Sequence, residues 1–308
     1  MNNYLVSCIL TTYNRCNLLK RSLDSIINQT YKNIEIFIID DCSSDSTGEI
    51  IKIYNDSRIR YIRHSFNKGL AQARNTGMEN SNGEFIAFLD DDDEWLPNKI
   101  KEQLNVFKYS EFKNLGMVMC GMRRINGLNI KEQKEILRGN LHDKMLIDQP
   151  LIGNGSCALI KKEIFQKYGG FDPRYKRGID GYYFSKISRN YQIDFCDQIL
   201  VNYYEDMNGR ISNYQNLDKV REALEANFLI FDEIKDVIER YPRLKARLNL
   251  RIAEYYILLN DYYNAKKFFF KSVKKYIGLK KYFLFLLYII FPTFITNKLR
   301  QRRMHEDE

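Results

Sequence analysis

Three histidines in 308 residues, none in an HExxH spacing, leave little room for imidazole-ligated metal chemistry or a Ser/His/Asp triad; any metal here needs carboxylates. The six cysteines, at 8, 16, 42, 120, 157 and 196, form no CxxC pair, and no secretory signal peptide opens the chain. A disulfide framework or zinc site is therefore not expected, and a reducing cytosol fits. The apolar run Tyr282 to Phe291 has only ten residues before Pro292. As a helix it reaches about 15 Å, half of a ~30 Å hydrocarbon core, so it cannot cross a bilayer. Net positive charge is also scarce outside the C-terminal stretch. The formal charge is +9, yet residues 262 to 303 hold 11 Lys/Arg and no acid, and the last five residues hold three acids. Taking these from the totals of 48 and 39 leaves 37 basic against 36 acidic residues in 1 to 261. That body has no basic stripe, RNP-like run or zinc-finger spacing, so a nucleic-acid partner is not expected.

What the chain does have is length, with about twice the usual ~150 residues per domain, and an ordinary globular composition of 44% hydrophobic and 28% charged residues. Apolar runs at 4–10, 34–39, 59–63 and 85–89 read as strands, with helical spacing between them at 18–27, 47–54 and 70–78. This β-α-β order predicts a doubly wound sheet, in which ligands gather outside the carboxyl ends of the strands. Three polar clusters fall at those ends: Thr11 to Arg15, Asp40 to Asp45, and Asp90 to Glu94. Beyond them, 97–112 and 162–168 read as helices, 117–120 and 157–160 as strands, and 126–148 as a weakly patterned polar insertion. Apolar residues step at helical spacing from Leu217 to Ile238 and again from Leu244 to Tyr255. The expected organisation is an α/β domain over 1–214 and a helical C-terminal region over 215–308.

Four consecutive aspartates, Asp90 to Asp93, are electrostatically costly: two charges ~6 Å apart at an effective dielectric of ~20 repel by about 3 kcal/mol. A bound cation reverses that sign, and oxygen-only ligands with room for phosphates suit Mg²⁺ or Mn²⁺. A solvated acidic turn is the alternative. Gly153-Asn154-Gly155-Ser156-Cys157-Ala158 fits G-x-G-x-x-A but precedes a strand rather than a helix, which argues against a dinucleotide fingerprint.

Four segments in order carry a family resemblance: Ser7-Cys8-Ile9-Leu10-Thr11-Thr12-Tyr13-Asn14-Arg15; Ile38-Ile39-Asp40-Asp41-Cys42-Ser43; Asn67-Lys68-Gly69 to Ala73-Arg74-Asn75-Thr76-Gly77; and Gly83-Glu84-Phe85 to Leu89-Asp90-Asp91-Asp92-Asp93. Over about residues 4 to 205 the chain resembles the family 2 glycosyltransferases of GT-A fold. The resemblance implies a Rossmann-like, doubly wound mixed sheet and a UDP-sugar donor site. Thr11 and Tyr13 would contact uracil and ribose, and Asp41 would accept from the uracil imide or the ribose. Asp90 would bond a ribose hydroxyl, and Asp92 would ligate Mn²⁺ or Mg²⁺. Asp90 is a further possible ligand, and Asp91, on the donor side, and Asp93 would serve as orienters or as alternative ligands. Arg74 would pair with the diphosphate or with Asp41, or lie in a helix-surface salt bridge. After the turn Gly169-Gly170-Phe171-Asp172, the dipeptide Ile179-Asp180 stands where the family carries Glu-Asp, which makes Asp180 the candidate base. The 153–158 segment, Trp95 and Asp172 would line the acceptor side.

The same resemblance suggests an inverting hexosyltransferase that acts on polyprenyl-diphosphate-linked sugars in bacterial O-antigen or capsule synthesis. The specific expectation is β-1,3 transfer of glucose, or else galactose, onto lipid-linked N-acetylglucosamine. The rival is a catalytically silent nucleotide-sugar- or membrane-binding protein of the same fold. The aromatic, basic stretch from Lys271 to Arg303 suits an anionic bilayer face, or else a buried terminal helix, and the first of these implies a cytoplasmic enzyme peripheral on the inner membrane face.

Overall fold

The computed structural model describes residues 3–134, 137–142, 154–205 and 216–273. These divide into two compact units, one formed by 3–134, 137–142, 154–173 and 179–205 and the other by 174–178 and 216–273. The expected boundary at Tyr214 lies outside the described residues, as do 135–136 and 143–148 of the 126–148 insertion and the 282–291 run.

The first unit is built on a nine-stranded mixed sheet. Its strands are β1 (Val6–Thr12), β2 (Ile34–Asp40), β3 (Ile59–Arg63), β4 (Phe85–Asp90), β5 (Glu94–Trp95), β6 (Leu115–Asn126), β7 (Asn129–Gln133), β8 (Leu159–Lys161) and β9 (Gln192–Tyr204). The order is β3-β2-β1-β4-β8-β6-β9-β5, with β7 paired to β6. The first four strands are parallel and linked by α1 (Cys16–Ile27), α2 (Thr47–Lys52) and α3 (Leu70–Asn80). Every residue of β1 is buried, and β2 and β4 are buried except at Glu35 and Asp90. That double-sided burial is why these strands read as continuous apolar runs rather than alternating ones. Gly77 of α3 is required by packing: a Cβ there would stand 2.5 Å from Ile9 Cγ2 on β1.

The parallel register fixes the site. Thr11 of β1 stands opposite Ile39 on β2 and Asp90 on β4, and Thr12 stands opposite Asp40. The three polar strand ends therefore finish at one level of the sheet. Beyond β4 the sheet becomes mixed, since β8 is antiparallel to both β4 and β6. β9 runs parallel to β6 and carries β5 antiparallel on its other side. Helix α4 (Lys99–Tyr109), α5 (Lys162–Tyr168) and α6 (Ile179–Ser188) complete the unit.

Most expected elements form within a few residues of their expected bounds. β6 is much longer than 117–120, the polar 126–148 segment begins with the edge strand β7, and 157–160 resolves into a 3₁₀ turn, Gly155–Cys157, followed by β8. β9 was not expected at all. The second unit contains α7 (Leu217–Glu233), α8 (Lys235–Ile238), α9 (Pro242–Leu258) and α10 (Tyr262–Val273). Asn216 caps α7 by accepting from the Asp218 amide at 2.8 Å, and Pro242 opens α9 where no amide is needed. Val220, Leu224, Ile252, Leu258 and Phe269 form the larger apolar cluster of this unit.

Candidate active site

The loops after β1 and β2 interlock. Asn14 takes a positive φ of 53°, which asparagine tolerates, and its side chain accepts from the Ser44 amide at 2.7 Å. In return Ser43 Oγ accepts from the Asn14 amide, and Asp45 accepts from the Cys16 amide, both at 2.9 Å. Thr11 is buried at the strand end, while Tyr13 projects with 46% exposure. Of the two adjacent acids, Asp40 is a brace: it accepts from the Ser43 amide and from the Tyr61 hydroxyl at 2.7 and 2.6 Å. Asp41 closes the loop before α3. Its Oδ1 accepts from the Lys68 amide and its Oδ2 from the Gly69 amide, at 2.8 and 2.7 Å. His64 Nδ1 lies 2.7 Å from Asp41 Oδ1, and its Nε2 lies 3.0 Å from Thr76 Oγ1. The buried His64 is a site residue that the sequence reading missed, because it stands outside every motif.

The tetra-aspartate run is met by partners from several elements, which is how the chain accommodates four adjacent carboxyls. Arg15 Nη1 reaches Asp91 at 3.0 Å and Asp92 at 2.9 Å. Arg21 donates to the Asp92 carbonyl at 2.6 Å, and Ser22 Oγ lies 2.7 Å from the carbonyls of both Asp91 and Asp93. Asn154 Nδ2 and Ser156 Oγ donate to Asp93 Oδ2 at 2.7 and 2.6 Å. Burial pushes the Asp91 carboxyl up to about 6, with Arg15 opposing and Asp92 reinforcing the rise. Burial, then Asp92 and Asp90, hold Asp93 well above the usual carboxylate range.

The structure brings Asp180 to this cluster through Arg74. The Arg74 side chain is 1% exposed, and Nη2 donates to Asp90 Oδ1 at 2.7 Å while Nη1 donates to Asp180 Oδ1. The guanidinium also stacks near Phe171 and Phe88, 5.1 and 5.6 Å from their ring centres. Arg74 is thus neither on a helix surface nor paired with Asp41; it ties the end of β4 to the start of α6. Asp180 Oδ2 accepts from the Gly155 amide at 3.0 Å. Burial raises the Asp180 carboxyl, Asp90 adds to the rise, and Arg74 and the Gly155 amide restrain it. Its side chain keeps 22% exposure, which leaves it reachable.

Trp95, expected among acceptor contacts, is instead 2% exposed, and its indole N–H donates to the Ser156 carbonyl at 2.9 Å. The structure makes it a support of the 154–158 turn rather than a surface. Asp172 is half-buried beside Phe171, whose amide and carbonyl are both held by Asn75, at 2.8 and 2.7 Å.

Carboxylate oxygens of Asp90, Asp92 and Asp93 lie within 4.8 Å of one another. Asp93 Oδ1 is buried without a hydrogen-bond partner among the described residues. An all-oxygen set with a buried, unpartnered carboxylate oxygen fits a hard divalent cation, and these are the residues that would hold it.

The mannosyltransferase PcManGT of Pyrobaculum calidifontis, solved with GDP-Man and Mn²⁺, has the same fold, with a TM-score of 0.60 at 17% identity over 98% of this chain and 85% of that one. Staphylococcus aureus TarS 1-349 with UDP-GlcNAc gives 0.59 at 16% identity over 88% and 92%. The fold is thus the mixed α/β GT-A type. Two Escherichia coli proteins, the UDP-Glc:alpha-D-GlcNAc-diphosphoundecaprenol beta-1,3-glucosyltransferases WfgD and WfaP, are 42% and 43% identical over 106 and 115 residues, or 34% and 35% of this chain. The matched stretch spans 42% and 46% of their lengths, under half of each. The model of "Glycosyl transferase family 2" matches residues 7–169, more than half of the chain, and the chain belongs to that family.

Proposed function

We propose that the protein is a metal-dependent inverting glycosyltransferase that moves glucose from UDP-glucose to N-acetylglucosamine on undecaprenyl diphosphate, forming a β-1,3 linkage. The observation that carries this reading is the Arg74 bridge, which sets a reachable carboxylate with a raised pKa beside an acidic cluster suited to a diphosphate-bound cation. The donor and acceptor follow from the names of the two relatives at 42% and 43% identity.

In this account Asp180 accepts the proton of the acceptor hydroxyl as its oxygen attacks the sugar C1, and the C1–O bond to the diphosphate breaks on the opposite side. One displacement inverts the anomeric centre, so an α-linked UDP-sugar yields a β-glycoside. A carboxylate held above its ordinary pKa is the stronger base at neutral pH. Asp90, Asp92 and Asp93 would hold the cation, Mn²⁺ or Mg²⁺, which supplies positive charge against the departing diphosphate. Tyr13, Thr11 and Asp41 would contact the nucleoside, and Asp91, paired with Arg15, would order the acidic run. The acceptor side would include Asp172.

The lipid-linked acceptor calls for a membrane surface. Helix α10 carries Lys266, Lys267 and Lys271 and leaves Tyr263 and Phe270 exposed, and a further basic sequence follows it. No helix among the described residues is long and apolar enough to cross a membrane. Peripheral attachment to an anionic inner leaflet fits these features. The test of the whole reading is a panel of UDP-sugars with Mn²⁺ and a synthetic GlcNAc-diphosphate lipid, read by mass spectrometry. Addition of one hexose from UDP-glucose, with the linkage assigned by NMR, is the expected result; no product with any donor would refute it.

A further inference from the structure

The 154–158 turn touches both halves of the reaction site and is gripped from behind by buried donors. On its front, Asn154 and Ser156 donate to Asp93, Ser156 Oγ accepts from the Asp90 amide at 3.2 Å, and the Gly155 amide donates to Asp180. A side chain at Gly155 would displace the Arg74 guanidinium, since its Cβ would stand 2.7 Å from Arg74 Nη2. On its back, three successive carbonyls each meet a different buried side chain. Trp95 Nε1 donates to Ser156 O at 2.9 Å, Gln103 Nε2 to Cys157 O at 2.9 Å, and Lys99 Nζ to Ala158 O at 3.4 Å. Lys99 also donates to Gln103 Oε1 at 2.8 Å and sits 4.2 Å from the Trp95 ring centre. Lys99, Gln103 and Ser156 are fully buried, and Trp95 is 2% exposed.

A buried lysine and a buried glutamine on one helix turn are expensive to desolvate, and each commits a donor to this short turn, while Gln103 Nε2 also donates to the Val118 carbonyl of β6 at 2.9 Å and so ties the turn to the sheet. An apolar pair at 99 and 103 would serve packing at lower cost. We infer that Trp95, Lys99 and Gln103 are positioning residues, which fix the turn so that one rigid element holds the cation-binding carboxylate Asp93 and the base Asp180 at a set separation. The inference rests on the proposed function and deepens it: α4, through the fully buried Lys99 and Gln103, aligns the two charges between which the sugar moves.

The test uses the full-length protein with Mn²⁺, UDP-glucose and the synthetic lipid acceptor, and two readouts. Mn²⁺ binding in the presence of UDP is followed by the EPR signal of the free ion, and single-turnover transfer is followed by quenched flow. Gln103→Glu keeps the shape and the Lys99 contact but removes the donors on Cys157 O and Val118 O; Ser156→Ala removes the hydroxyl on Asp93. Supporting groups of this kind are worth roughly 10- to 100-fold in metal affinity or activity. Ser156→Ala is expected to weaken Mn²⁺ about tenfold, and Gln103→Glu to weaken Mn²⁺ and slow transfer together, each by about tenfold, at saturating UDP-glucose. Asn154→Ala, at a half-buried position, replaces Ser156→Ala if that variant does not fold. A lowered melting temperature with Mn²⁺ affinity and single-turnover rate within twofold of the parent would overturn the inference. A parent that binds no Mn²⁺ would overturn the proposed function as well, so the two failures are told apart.

Discussion

Arg74→Met removes the guanidinium shared by Asp90 and Asp180, and the geometry sets the size of the effect. Each carboxylate loses a charge-assisted hydrogen bond from a guanidinium with 1% exposure, and two aromatic faces lose a stacked cation. Removing one partner of a buried ion pair costs about 3 to 5 kcal/mol. Asp90 and Asp180 keep 23% and 22% side-chain exposure, so water relieves part of the loss and the low end, about 3 kcal/mol, applies. For a unit of this size that is roughly 6 to 12 °C of melting temperature, measured by calorimetry. The second consequence is a pH shift. Burial already holds the Asp180 carboxyl above its ordinary value, and Arg74 is the main restraint on that rise. A base acts when ionised, so the acid limb of the rate profile lies above the ordinary aspartate range and moves to still higher pH in Arg74→Met. A variant that melts within a degree of the parent, with its acid limb unmoved, would refute the bridge as a working part of the site.

Three further outcomes are expected. Chelation by EDTA should abolish transfer and Mn²⁺ should restore it, whereas Asp92→Ala should blunt the Mn²⁺ response at all concentrations; equal activity in EDTA would remove the cation from the account. His64→Phe removes a neighbour of the Asp41 carboxylate and should weaken UDP binding by about fivefold, the equivalent of one ordinary hydrogen bond of roughly 1 kcal/mol, as read by titration calorimetry. Truncation after Leu279 should lose co-sedimentation with anionic vesicles yet keep transfer to a soluble acceptor analogue; a truncated protein that still sediments would place the membrane contact elsewhere.

The parallel half of the sheet was legible because its strands are buried on both faces, and such strands announce themselves as apolar runs with polar ends, as Phe85 to Asp93 does. β9 was not, because Asp197 and Gln198 lie exposed in its middle and its pairing with β6 shifts register between Cys120 and Met122, which breaks any regular period. β7 has no buried face and so carries no hydrophobic signal. Within the site, the carboxylates stood out as strand-end clusters. The partners that hold them did not: Arg74 meets a carboxylate 106 residues away, and the 154–158 turn meets Asp93 across 61 and 63, distances over which local pattern is silent. Trp95 shows the same limit in reverse. The family resemblance put it on the acceptor side, and only the packing of β5 against β9 shows that it faces inward.

The most direct test of the central claim is single-turnover transfer by Asp180→Asn, with UDP and Mn²⁺ binding measured on the same sample. The account predicts unchanged UDP and Mn²⁺ affinity and transfer slowed by about 10²- to 10⁴-fold, the usual worth of a general base. Transfer at the parent's rate would contradict it, and the proton would then have to leave by another group.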